Sequence, residues 1–207
     1  MTITLRGLAQ RPPLPRPAAA PVCDLCGGPI PEQHRHVLDL DSGEPQCACR
    51  ACAVLFDRDS AGGGHYRLIP ERRLPLDDFR LADRLFPALG IPVDLAFVQL
   101  ESRNDRVLAR YPGAAGLIAA LPAPDAWDEL ARANPELRSL EPDVEAFLAN
   151  HARGASEHWI VPIDDCYRLA ARVRETWSGF NGGERVWQEI AGFFEELRSD
   201  RKEATWR

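Results

Sequence analysis

The stretches CDLCGGPIP (residues 23–31) and CACRAC (residues 47–52) each carry a C-x-x-C pair and decide how the N-terminal part of the chain folds. Two such pairs at the ends of a hairpin-like loop can bring four thiolates to one tetrahedral centre, as in zinc ribbons and rubredoxin-type iron sites. The spacing therefore predicts a small metal module with four ligands: Cys23, Cys26, Cys49 and Cys52.

This ligand set fits more than one metal. We interpret the site as structural zinc, with iron as the alternative, either as a single ion or in an iron–sulfur cluster. The two metals imply different functions, because iron can carry electrons whereas zinc has no redox chemistry.

Three more potential ligands lie between or beside the pairs: His34, His36 and Cys47. One zinc ion needs only four ligands, so we interpret Cys47 as a spare or exchangeable thiol, with a role in an iron–sulfur cluster as the alternative. For the H-x-H sequence we expect at most one histidine to face the metal. The other is expected to be solvated.

The balance of charges bears on the class of partner. Lys and Arg number 25 against 31 Asp and Glu, which gives a formal net charge of −6. A surface that follows a phosphate backbone should be clearly basic, because neutralising phosphates supplies most of the affinity. A zinc-ribbon regulator that binds nucleic acid is therefore an alternative that the composition disfavours.

The sequence also bears on location. It contains no apolar run of about 18 residues, the length that would cross a membrane. The first residues, MTITLRGLAQRPPLPRP, lack the apolar core of a signal peptide. We therefore expect a cytoplasmic protein without a membrane partner, in which reduced cysteines favour metal over disulfides.

Composition and turn signals divide the chain into four parts. We predict a disordered Pro-rich lead-in over residues 1–21, a metal-binding ribbon module over 22–60, a Gly-rich joint over 61–75 and an α+β domain over 76–200. The segment AVLF that follows Cys52 is expected to cover the metal module with apolar side chains.

Two pairs of strands are predicted in the α+β domain, which indicates an antiparallel sheet. Residues 91–102 and 106–112 are rich in β-branched and aromatic residues on either side of a turn, and we expect a hairpin. Residues 144–150 and 158–163 form a second such pair, joined by the turn-rich segment ARGASE.

Helices are predicted from apolar spacing. One begins at Pro124 and is interrupted at Pro135. The next begins after Asp164 and Asp165, which are expected to cap it, and its apolar face makes Cys166 a buried core residue. The last is an amphipathic helix over residues 186–197 that is expected to dock on the protein's own sheet.

Catalytic motifs are missing from the sequence. It has no G-x-S-x-G, H-E-x-x-H or nucleotide-binding loop. We interpret Asp164 and Asp165 as capping residues, and His151 and His158 as core or rim residues. The sequence therefore predicts no catalytic residue and no enzymatic activity.

Seven segments together resemble a bacterial family that is named only as a domain of unknown function. They are CDLCGGPIPEQHRHVLDL, CACRACAVLF, GGGHYRLIP, IPVDLAFV, AWDELARANPELRSLEPDVEA, VPIDDCYRLA and WSGFNGGERVW, and the resemblance covers roughly residues 22–198. Members of that family are encoded beside actinobacterial-type high-affinity uptake NiFe hydrogenases. The resemblance implies a cytoplasmic accessory role in making, assembling or wiring such a hydrogenase, with hydrogenase subunits or maturation proteins as partners. A rubredoxin-like iron protein that moves electrons in the same system is the alternative.

Overall fold

The computed structural model describes residues 21–56, 64–179 and 182–204. The predicted lead-in lies outside these residues except for Pro21, and so do Gly62 and Gly63 of the predicted joint. The described residues form two antiparallel sheets with helices, which confirms the α+β class and places the cysteine pairs in the N-terminal part. None of the described helices combines the length and the apolar character needed to cross a membrane.

The smaller sheet carries the metal module. It has the strand order β2-β1-β3, with both pairings antiparallel. The elements are β1 (Arg35–Asp39), β2 (Glu44–Ala48), helix α1 (Arg50–Leu55) and β3 (Tyr66–Leu68). The last strand falls within the range predicted as a joint, 61–75, and pairs with β1.

The module has a very small apolar core. Only Val37, Ala48 and Ala53 form its buried cluster among the described residues, with Phe56 packed against it. Val54 and Leu55 are 68% and 64% exposed, so the expectation that AVLF as a whole covers the module was wrong. Residues three apart share a helix face, so Ala53 and Phe56 point inward while the two residues between them point outward.

The larger sheet has six strands in the order β4-β9-β8-β5-β6-β7, with every pairing antiparallel. The strands are β4 (Leu74–Pro75), β5 (Leu95–Glu101), β6 (Arg106–Gly113), β7 (Gly116–Ala120), β8 (Glu145–Asn150) and β9 (Glu157–Pro162). The predicted pairs β5/β6 and β8/β9 are both confirmed.

Helices cover both faces of this sheet. The helices are α2 (Leu85–Ala88), α3 (Pro124–Ala133), α4 (Ile163–Thr176) and α5 (Glu184–Ala204). Successive strand residues belong to different clusters: Phe97 and Leu148 pack with residues of α4 and α5, whereas Val98 and Phe147 pack with residues of α2 and α3. Because side chains alternate across a strand, a central strand with both faces covered is buried at every position, as β8 is.

The C-terminal part of the domain agrees with the sequence in its packing. Cys166 is buried in the cluster under α4, as predicted. Phe193, Phe194 and Leu197 of α5 lie in the same cluster, which confirms that this helix docks on the protein's own sheet. Leu38 and Ile69 also belong to that cluster, so the metal module packs directly against the larger domain.

Three arginines near the junction of the two sheets bind acceptors in the larger domain. Arg67 donates to the carbonyl of Pro142 at 2.7 Å. Arg72 donates through Nε and Nη2 to Glu145, at 2.8 and 2.5 Å. The third, Arg73, donates to Asp165 at 2.6 and 3.1 Å. Charged contacts therefore join the module to the domain alongside the apolar ones.

Candidate metal centre

The first cysteine pair lies in a tight turn at the start of the described chain. The amide of Cys23 donates to the carbonyl of Gly28 at 2.8 Å, and the amide of Gly27 donates back to the carbonyl of Cys23 at 2.8 Å. Gly27 has a φ of +73°, a left-handed conformation that residues with a Cβ rarely adopt. The glycine after Cys26 thus allows the chain to turn sharply enough to present both sulfurs on one side.

The second pair lies where β2 gives way to α1. Cys49 is the N-cap residue of α1, and its Sγ accepts a hydrogen bond from the amide of Cys52 at 3.4 Å. Asp24 connects the two pairs: its amide donates to the carbonyl of Cys47 at 2.9 Å, and its side chain accepts from the amide of Cys47 at 2.7 Å. These two hydrogen bonds hold the first turn beside the end of β2.

The structure brings all four predicted ligands together. The sulfurs of Cys23, Cys26, Cys49 and Cys52 lie within 4.8 Å of one another. The Sγ atoms of Cys26 and Cys49 are 3.8 Å apart, close to the edge of about 3.8 Å that zinc–sulfur bonds of about 2.3 Å give in a tetrahedron. A disulfide would place two sulfurs about 2.05 Å apart. The four-cysteine cluster can therefore hold one metal ion.

The protonation of these cysteines reflects their crowding. Burial raises the pKa of Cys23, but backbone hydrogen bonds from Cys49, Cys26 and Leu25 outweigh it and lower this pKa to about 6. The hydrogen bond to Cys49, together with burial, raises the pKa of Cys52 to about 12. Four adjacent thiolates repel one another unless a cation lies between them, so this cluster favours a bound metal cation over four free thiolates.

A second group of potential ligands lies beside the first. One side-chain donor atom each from His34, His36 and Cys47 lies within 4.8 Å of the others. The rings of His34 and His36 have centroids 4.8 Å apart. All three side chains are partly buried, and none of them belongs to the four-cysteine group. The roles expected for the two histidines and for Cys47 stay predictions.

Strand register explains this grouping. Residues two apart in an extended segment lie on the same face, so His34, just before β1, and His36, within it, lie on one side of the chain. His36 lies directly opposite Cys47 in the β1/β2 pairing, which also places the two side chains on one face. The signal in the sequence was the H-x-H spacing combined with a cysteine on the returning strand of a hairpin.

A cleft of about 1350 Å³ lies between this face and helix α4. Its lining includes His34, His36, Cys49, Asp164 and Asp165. Both aspartates were expected to cap α4, but that expectation was wrong, because the helix begins at Ile163 and its N-cap is Pro162. They lie in the first helical turn and point to different partners.

The acidic residues of that turn are paired with groups from elsewhere in the chain. Asp164 is 2.9 Å from Nδ1 of His36. Asp165 is buried and binds both Arg73 and Arg168, at 2.6 and 2.9 Å. Asp165 and Arg168 are three residues apart on one helix, a spacing at which side chains meet. The contacts of Asp164 with His36 and of Asp165 with Arg73 join distant parts of the chain, so sequence reasoning missed them.

The other two histidines discussed above lie in the larger domain. His158 is buried and stacks on Phe79 with ring centroids 4.2 Å apart. Nε2 of His151 is 2.7 Å from Nε2 of His158. Both positions agree with a core or rim role.

Comparison with known proteins assigns a family. The model of a family of unknown function, DUF5947, matches residues 22–201. The chain belongs to the DUF5947 family. Comparisons with curated proteins and with solved structures gave no match. The matched range of this DUF5947 protein includes both cysteine pairs, His34, His36 and both sheets, and it ends within the last helix.

Proposed function

We propose that this protein is a cytoplasmic, zinc-binding accessory protein for the assembly or maturation of a NiFe hydrogenase. It acts through contacts with hydrogenase subunits or other maturation proteins and carries out no catalysis of its own. The single observation that supports the role is the four-cysteine cluster in a small module that packs on a separate α+β domain. The hydrogenase connection comes from the resemblance of the sequence segments.

Zinc suits this cluster because the site is closed. Four thiolates occupy all four coordination positions of a tetrahedral ion, which is the arrangement of structural zinc sites. The module's own buried cluster has three residues among those described, too few for the module to fold without help from a metal. The metal then stabilises a surface that a partner recognises.

Iron in the same cluster is the second candidate. Cys26 is exposed, so an electron could enter or leave an iron site through its sulfur. The size of the α+β domain favours the accessory role, because an electron carrier of the rubredoxin type needs no second domain. Purified protein distinguishes the two: an iron–thiolate protein is red, and the zinc protein is colourless.

The test is complementation of a deletion strain. Hydrogenase activity and a pull-down of hydrogenase subunits are compared for wild-type protein, Cys49→Ser and Cys166→Ala. Cys49→Ser is expected to lose metal, binding and complementation together, because metal binding and folding of the module are coupled. Cys166→Ala is the matched control, since its thiol is buried in the large domain, away from the cluster.

Two results would contradict the proposal. Normal hydrogenase activity in the uncomplemented deletion strain would remove the maturation role. Full complementation and full metal content in Cys49→Ser would show that the function does not need the four-thiolate site.

A further inference from the structure

We propose that His34, His36 and Cys47 form a second zinc site, distinct from the four-cysteine cluster and open towards the cleft beside helix α4. The inference goes beyond the proposed function and does not depend on it. It rests on the orientation of the two imidazoles, on strand register and on the position of the cleft.

His34 is already oriented as a ligand. Its Nδ1 lies 2.9 Å from the carbonyl of Pro31 and 3.0 Å from that of Glu32. Carbonyl oxygens only accept hydrogen bonds, so Nδ1 carries the proton and Nε2 keeps its lone pair. That Nε2 atom is buried and has no hydrogen-bond partner among the described residues. A buried acceptor without a partner is costly, and a metal ion would satisfy it.

A carboxylate holds the imidazole of His36 in place, as is usual for metal-binding histidines. Its Nδ1 lies 2.9 Å from Oδ2 of Asp164, which leaves Nε2 as the nitrogen for a metal. A carboxylate on the far nitrogen fixes the ring and makes the metal-binding nitrogen more basic. Because Asp164 belongs to α4, the larger domain supplies this support to a ligand of the smaller sheet.

The backbone brings the third donor to the same place. Cys47 is paired with His36 in the β1/β2 register. Leu38, two residues beyond His36 and on the same face of β1, belongs to the core cluster of the larger domain. This face therefore points towards the larger domain, whereas Val37 points into the module's own core. The two ligand groups share no residue.

Two nitrogens and one thiolate define the class of metal. This donor set suits Zn²⁺ and similar divalent transition ions, and it is poor for Mg²⁺ or Ca²⁺, which prefer oxygen ligands. Three protein ligands leave one tetrahedral position free, as in zinc sites that exchange a ligand or bind a substrate. Both histidines line the cleft, so the fourth ligand would come from there.

Metal titration of the full chain tests the site. Zn²⁺ is added to metal-free, reduced protein and the bound ions are counted; Co²⁺ is then used to follow tetrahedral coordination by its visible absorption. We expect two ions for the wild type and one for Cys47→Ala and His36→Ala, with the four-cysteine ion retained. His65→Ala, a histidine of the same module that pairs with Asp41 outside both groups, is expected to bind two ions.

Asp164→Asn tests the contact between this carboxylate and His36 without removing a ligand. We expect this variant to bind two ions, with the dissociation constant of the weaker ion raised about 10- to 100-fold. One ion per wild-type chain would overturn the proposal. It would also fail if Cys47→Ala changed metal binding while His36→Ala did not, because Cys47 would then serve the four-cysteine cluster instead.

Discussion

The ion pair between Arg72 and Glu145 allows a quantitative test of how the two parts of the molecule are joined. Glu145 lies in the central strand β8 with its side chain 0% exposed. Its carboxylate accepts two hydrogen bonds from Arg72 and one from the amide of Glu141 at 2.9 Å. Replacing Arg72 by Met keeps much of the aliphatic stem but leaves a buried carboxylate without its cation.

The size of the effect follows from burial. Removing one partner of a buried ion pair costs about 3–5 kcal/mol. The side chain of Arg72 is 40% exposed, so water already reaches part of this pair and the low end of that range applies. We expect a loss of about 3 kcal/mol in the free energy of unfolding. With a urea slope of about 2 kcal/mol/M, the midpoint falls by about 1.5 M.

The assay is urea unfolding of metal-loaded protein, followed by tryptophan fluorescence. Arg84→Met is the matched control, because Arg84 pairs with Glu129 at 3.8 Å with side chains 76% and 53% exposed. Exposed pairs contribute about 0–1 kcal/mol, so this variant should unfold close to the wild type.

A double variant separates the ion pair from other effects. Arg72→Met combined with Glu145→Met removes both charges, and we expect it to be more stable than Arg72→Met alone. Two results would contradict this expectation. One is that Arg72→Met loses no more free energy of unfolding than Arg84→Met, and the other is that the double variant is no more stable than Arg72→Met alone.

Three further predictions concern the metal, pH and the last helix. Removing metal with a chelator should make residues 22–56 sensitive to protease while the domain from Leu74 onward stays resistant, as mass spectrometry of the fragments would show; equal cleavage in both parts would contradict this. Burial, together with His151, lowers the pKa of His158 to about 4. Between pH about 6.5 and about 4 the unfolded chain therefore binds more protons than the folded protein, and the free energy of unfolding should fall as the pH drops. His158→Phe should flatten this dependence in thermal unfolding scans, and an unchanged dependence would rule out His158 as its source. Phe193→Ala should lower the free energy of unfolding by about 3–5 kcal/mol, because Phe193 is 0% exposed; the exposed Leu121→Ala is its control, and equal losses would argue against docking of the helix.

Two strand pairs of the large sheet, β5/β6 and β8/β9, were predictable because their sequence signals are local. The segments around Phe97 and Phe147 are rich in apolar residues and are bounded by turn residues, so their pairs could be predicted without distant information. The strand β4 could not be predicted, because two residues are too few to show the alternation of apolar and polar side chains. Its partner β9 also lies far along the chain. The pairing of β3 with β1 was missed for the same reason.

The candidate metal centre likewise has one part that the sequence predicts and one part that it does not. The four-cysteine group could be predicted because C-x-x-C is a local pattern whose geometry is well known. Grouping His34 and His36 with Cys47 required the register of the β1/β2 hairpin, which the C-x-x-C spacing does not give. The contact between His36 and Asp164 depends on how α4 packs against the module, which only the tertiary structure gives.

The position of the ligands along the chain has a consequence for synthesis in the cell. All seven side chains of the two groups fall between residues 23 and 52, so closing the loops around a metal costs little chain entropy. The large sheet forms later, since Leu74 must pair with Ile160 before β4 can join it. We therefore expect the ribosome-bound nascent chain to capture its first metal while the larger domain is still being translated.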